Sequence, residues 1–185
     1  MKEGLFDYWN SLINDIPHEL YMLSWAILIV LSVLFVVYKG IKNGLRHSIG
    51  VLLAEYVILI YCSTVIFRPT GKVSTFDITP LWSYRAYWEG REPNVLVENF
   101  ANVLVLVPVG ILLGGAFRSM TWWKALLVGV GISVSIEVMQ LMLKRGFCEV
   151  DDVMHNSLGC LIGYGIYKLV RYGYKRLGKR SMAVL

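Results

Sequence analysis

Residues 21–38, YMLSWAILIVLSVLFVVY, hold no charge, and Ser24 and Ser32 are their only polar side chains apart from the tyrosines. A helix needs roughly 20 predominantly apolar residues to cross the hydrocarbon core of a bilayer, so this stretch reads as a membrane span. Outward from it, Ile49 to Phe67 forms a second span, carrying Glu55. Val95 to Phe117 forms a third with Asn99 and Asn102, and Trp122 to Leu143 a fourth with Glu137 and Gln140. A fifth runs from Val153 to Val170, beginning beside Asp152 and carrying Asn156. Composition agrees: 56% of the 185 residues are hydrophobic and 17% charged, with a mean hydropathy of +0.57. Soluble domains are about 25% charged. The expected fold is all-α, one integral membrane domain over residues 1–185 built as a bundle of about five transmembrane helices.

Charge placement orients the bundle, because Lys and Arg are retained on the cytoplasmic side. Lys39, Lys42 and Arg46 follow the first span, Arg118 and Lys124 separate the third from the fourth, and Lys168, Arg171, Lys175, Arg176, Lys179 and Arg180 crowd the tail. These segments belong inside, which puts the N-terminus outside and the C-terminus inside. Acids outside the spans segregate to the other face, from Glu3 and Asp7 to Glu149, Asp151 and Asp152. The net charge of +5 would also suit nucleic acid. However, these basic residues flank apolar runs and form no stripe with interleaved aromatics, so no nucleic-acid partner is expected.

The segment before the first span is neither short and basic nor apolar, and no small-residue cleavage pattern follows Tyr38, so the first span is expected to be retained. Residues 5–16, with apolar positions at helical spacing, and the aromatic cluster Leu81, Trp82, Tyr84, Tyr87 and Trp88 read as interfacial helices at headgroup level. Cys62, Cys148 and Cys160 are scattered, and His18, His47 and His155 fall at unrelated positions. Neither a disulfide nor a metal site is expected, and no cofactor motif is present.

The chemistry lies in the polar residues of the spans. Asn99, Asn102, Glu137, Gln140, Asp152 and Asn156 all fall in the outer half of the membrane if the spans run as described. Asn99 and Asn102 lie roughly 8 and 12 Å along the third span, and Gln140 and Glu137 about one and two turns below the outer end of the fourth. Spacings of three and four put each pair on one helix face. Gly110 and Gly114, and Asn156, Gly159 or Cys160, and Gly163, make small-residue ridges suited to close helix approach. Arg145 follows the fourth span directly, and the short connection to Asp152 suggests a pairing with Glu149, Asp151 or Asp152. Glu55 sits near the cytoplasmic end of its span, within reach of Lys42 or Arg46. Interhelical hydrogen bonds, worth about 0.6 kcal/mol on average, are the plainer account of such residues. Carboxylates and an arginine are a costly way to tie helices together, which favours a solvent-reaching pocket.

Asn99-x-x-Asn102 followed by Pro108-Val109-Gly110, then Ser135-x-Glu137-x-x-Gln140, then Arg145, Glu149, Asp152, Asn156, Gly159 and Gly163, resembles the VanZ-like family of bacterial membrane proteins. Pro80-Leu81-Trp82-Ser83-Tyr84 resembles the stretch that precedes the asparagine-bearing helix in that family, and the likeness is strongest over residues 49–170. The connection Gly146-Phe147-Cys148-Glu149 is one residue longer than the Arg-x-x-Asp form of many members. The resemblance implies a multi-pass protein of the Gram-positive cytoplasmic membrane, associated with resistance to the lipoglycopeptide teicoplanin.

Three functions are compatible with these residues. In the first, Asn99, Asn102, Glu137, Gln140, Arg145, Asp152 and Asn156 line an outer-leaflet pocket for an amphiphile, either a lipoglycopeptide or a lipid-linked cell-wall precursor, among membrane lipids. In the second, the site modifies an envelope lipid, with Glu137 and Asp152 as acid and base. His155 points about 100° from Asn156 and reads as an interface residue. In the third, the chain is a structural partner of another envelope protein.

Overall fold

The computed structural model describes residues 17–70 and 75–182. The segment 5–16, expected to lie at the interface, falls outside the described residues. The first helical stretch, α1 (His18–Tyr61), breaks at Gly40, whose φ of 73° and ψ of 161° suit a residue without a side chain. Its two arms, Met22–Ile41 and Asn43–Ile66, fold back as a hairpin. A side chain on Gly44 would overlap the backbone of Val36, and the Ser48 hydroxyl bonds the Ser32 carbonyl at 3.5 Å. The first arm exposes Met22, Leu23, Ile29, Val30, Val33 and Val37. Lipid is as apolar as these side chains, so the arm needs no protein cover.

The second arm ends in a wide π turn, Cys62–Ile66, followed by β1 (Thr75–Asp77) and the short helix α2 (Trp82–Trp88). Next come α3 (Val95–Ala116), α4 (Trp122–Leu143), β2 (Phe147–Glu149) and α5 (Val150–Met182). Strands β1 and β2 pair in parallel, Phe76 opposite Cys148 and Asp77 opposite Glu149. Among the described residues this two-stranded patch is the one departure from an all-α bundle.

Both arms of α1, together with α3 and α4, have the length and apolarity of membrane spans. Helix α5, expected from the sequence to hold a fifth span, is less apolar and is not among these four, but it packs against the same helices. It runs parallel to α3 at backbone contact: a methyl group on Gly159 would overlap the Val103 carbonyl, one on Gly163 the Val107 carbonyl, and one on Gly110 the Cys160 carbonyl. Against α4 it runs antiparallel, with the Tyr164 hydroxyl on the Met120 carbonyl at 2.7 Å and Cys160 Sγ on the Ala125 carbonyl at 3.2 Å. Its exposed apolar side chains include the stripe Met154, Leu158, Ile162, Ile166 and Leu169, while Asn156, Ser157 and Cys160 are buried. A helix enclosed on most sides can be small and polar where a lipid-facing one cannot.

The apolar core lies where the second arm, α3, α4 and α5 meet, around Ile60, Val65, Leu106, Val109, Ile136 and Cys160. Tyr56 reaches the Val105 carbonyl at 3.0 Å, and Tyr61 shares a hydrogen bond with Ser135. These contacts tie the second arm, ahead of the π turn, to the middle of α3 and α4.

Candidate functional site

Two polar groupings occupy the outer ends of α3, α4 and α5. The first is closed. The Asp151 carboxylate, 1% exposed, accepts hydrogen bonds from the backbone N–H groups of Leu81 at 2.5 Å and Ser83 at 3.0 Å. It also accepts the Ser83 hydroxyl at 2.5 Å. An anion at a helix start satisfies N–H groups that have no intrahelical partner, so Asp151 locks the beginning of α2 onto α5. Asn99 donates to Ser83 Oγ at 3.0 Å and completes the cluster. Beside it, His155 Nε2 meets the Tyr84 hydroxyl at 2.8 Å, an interface contact in line with its helical phase.

The second grouping surrounds a cavity of about 260 Å³. Asn102, Glu137, Gln140, Asp152 and Asn156 line it, together with Thr64, Arg68, Glu98 and Glu149 and the apolar Val105, Ile136 and Phe147. Asn102 donates to Asp152 Oδ1 at 2.6 Å, and Asn156 donates to Ser133 Oγ at 2.9 Å. Glu137 Oε2 accepts the Glu149 backbone N–H at 3.1 Å, tying α4 to the end of β2. Gln140 donates to the Thr64 carbonyl at 3.0 Å. An adjoining cavity of about 470 Å³ shares Glu98, Phe147 and Glu149 and adds Phe76, Trp82, Asp77 and Glu92.

The structure places two of the sequence-expected site residues away from the cavity. Asn99 belongs to the closed cluster and does not line the cavity. Arg145 pairs with none of Glu149, Asp151 or Asp152: its Nη1 donates to the carbonyls of Val65 at 3.0 Å and Arg68 at 3.1 Å, and to that of Ile66. The π turn strands these carbonyls at a helix end, and a cation there satisfies several at once. The residues preceding β2 thus serve as a cap for the second arm. Nor does Arg46 pair with Glu55, whose Oε2 is buried without a hydrogen bond.

The cation that does line the cavity is Arg68. A side chain on Gly146 would come within 3.1 Å of Gln140 Oε1 and 3.2 Å of Arg68 Nη1, so Gly146 keeps room for both. Arg68 lies just beyond a span and carries no helical phase, so nothing local in the sequence ties it to Gln140. Glu149, at the end of β2, is pushed up to about 7 by burial and by the neighbouring negative charge of Asp152, with Trp82 opposing. Carboxyl groups therefore crowd one guanidinium, and acceptors outnumber donors. Among the described residues no cluster of His, Cys, Asp and Glu is arranged to hold a metal ion.

The family model described as VanZ/LLP1 matches residues 19–171 of this chain. Among curated proteins, the chain is similar to Protein VanZ of Enterococcus faecium, 23% identical over 124 residues, which cover 65% of this chain and 76% of the relative. No solved structure matches.

Proposed function

The chain belongs to the VanZ/LLP1 family, and on that premise we propose that this multi-pass bacterial membrane protein protects the cell envelope against a lipoglycopeptide of the teicoplanin type. It does so by holding the polar head of an amphiphile in its outer cleft. The observation that carries this reading is the cavity itself: Asn102, Glu137, Gln140, Asp152 and Asn156, from three helices, converge on one space with Arg68. At 260 Å³, and about 30 Å³ per water, it has room for roughly eight water molecules. That volume suits one amine- or hydroxyl-bearing group and excludes a whole antibiotic. Asp152, Glu137 and Glu149 supply acceptors for ammonium or hydroxyl donors, Asn102 and Asn156 present amides, and Arg68 meets any anionic substituent. The ligand's acyl chain stays among the lipids, so the bilayer concentrates it at the site. Both a lipoglycopeptide and a lipid-linked wall precursor fit this description.

The test is antibiotic susceptibility in a sensitive host expressing the parent chain, Asp152→Asn or Asn156→Ala at equal membrane abundance. Protection by the parent is expected to fall to the level of the empty host in both variants; full protection by both would refute the cleft as the binding site. A second reading, modification of an envelope lipid, draws on Glu137 and Asp152 lining the same cavity as a carboxyl pair. Glu137→Gln separates the two. A binding site keeps most of its protection because the amide retains the acceptor for the Glu149 N–H, whereas an acid or base catalyst loses it. Extracted lipids that differ between expressing and empty cells would favour the enzyme.

A further inference from the structure

A second crevice, of about 350 Å³, lies at the opposite end of the bundle, between the α1 hairpin and the inner end of α3. Phe35, Val51, Ala54 and Phe117 give it apolar walls, Arg46 and His47 line it as well, and among the described residues no carboxylate does. Arg46 is half-buried, and its guanidinium forms no hydrogen bond or ion pair with any described residue. Its neighbour His47 commits Nδ1–H to the Asn43 carbonyl at 2.7 Å. From Arg46 to Ala54 the second arm rises about 12 Å into the membrane, so one charged end is followed by a strip of apolar wall. Charge placement assigns this end to the cytoplasmic side, where anionic lipids concentrate and basic crevices between helices hold their head groups.

We propose that this crevice binds an anionic phospholipid of the inner leaflet, with its phosphate against Arg46 and the first part of one acyl chain along Val51 and Ala54. The site is remote from the outer cleft and independent of the role proposed there. Charge complementarity selects the occupant: a zwitterionic lipid offers Arg46 a phosphate already paired with its own ammonium, and an anionic one does not.

The full chain, purified in detergent and offered equal amounts of phosphatidylglycerol and phosphatidylcholine with the same acyl chains, is read by native mass spectrometry. Phosphatidylglycerol is expected to be retained about fivefold more, the worth of one basic residue at an anionic lipid surface. Arg46→Gln brings the two lipids to parity. Arg118→Gln, on the same side but outside the crevice, leaves the preference intact. Gly50→Leu fills the crevice from a helix position where an added Cβ meets no atom within 4 Å, and lowers retention of both lipids. Equal retention by the parent chain, a preference surviving Arg46→Gln, equal losses in Arg46→Gln and Arg118→Gln, or undiminished retention in Gly50→Leu would each overturn the proposal.

Discussion

The first turn of α5 carries two adjacent aspartates in opposite situations. Asp151 spends its oxygens on two backbone N–H groups and a hydroxyl, and is sealed under α2. Asp152 accepts one amide hydrogen, from Asn102, and turns its remaining capacity to a cavity. The arginines repeat the contrast: Arg145 is committed to the stranded carbonyls of the π turn, while Arg68 faces the cleft. Residue type is the same within each pair, and both members lie at the same end of the bundle. A binding role is distinguished from a structural one by whether hydrogen-bonding capacity is already used.

The largest effect expected from this contrast is that of Asp151→Ala. Buried hydrogen bonds to a charged group contribute about 1.5–3 kcal/mol each, so the loss strands buried donors and costs about 3 kcal/mol or more. In a chain of this size that is a fall in thermal midpoint of about 10 °C, accompanied by lower membrane abundance. Asp152→Asn, which keeps the acceptor for Asn102, should stay within about 0.5 kcal/mol of the parent. Parallel melts in detergent measure both, and equal stability of the two variants would erase the distinction.

A smaller effect separates the arginines. Arg145→Ala should destabilise by about 1.5–3 kcal/mol, because the carbonyls of Val65 and Ile66 lose their donor. Arg68→Ala should change stability by about 0.5 kcal/mol or less while reducing protection against the antibiotic. Denaturation followed by tryptophan fluorescence, beside susceptibility, decides whether the two roles divide in this way.

The smallest effect is a pH dependence. Glu149 is held up to about 7 in the fold by burial and by Asp152, so the folded chain binds its proton more readily than the unfolded chain does. Its contribution to stability is then complete below the ordinary carboxylate range and disappears as pH rises through about 7. Between pH 6 and pH 8 the thermal midpoint should fall by about 2–4 °C, the equivalent of about 1 kcal/mol in a chain of this size. Glu149→Gln should flatten the curve. An unaltered slope in that variant would place the titration elsewhere.

Much of this was legible in the sequence, because membranes impose simple rules. Uninterrupted apolar length located both arms of α1, α3 and α4, and the glycine ridge around Gly159 and Gly163 matches the backbone contact with α3. Helical phase put Asn102, Glu137, Gln140, Asp152 and Asn156 on facing surfaces, and they line one cavity. Phase misled at Asn99, since a residue three positions from Asn102 on the same face can still turn toward a different neighbour, here Ser83. Proximity in sequence misled at Arg145, where the nearby acids seemed the natural partners and the π turn's carbonyls, far away in sequence, were the actual ones. Arg68 and the β1–β2 pairing left no periodic trace: one residue beyond a helix and two three-residue strands are placed by contacts across the chain, and no local pattern encodes those.

The enclosed position of α5 also bears on the order in which the bundle assembles. Its narrow apolar stripe and its Asn, Ser and His residues give it a weak claim on lipid by itself, and it is synthesised after the helices it packs against. The surface it docks on is supplied by α3 and α4, which precede it in the chain. Until it docks, Asn102, Ser133 and Glu137 lack their partners from α5 and β2, in surroundings that punish unsatisfied polar groups. Before α5 docks these groups would thus stand unsatisfied, and assembly of the cleft is the step that pairs them.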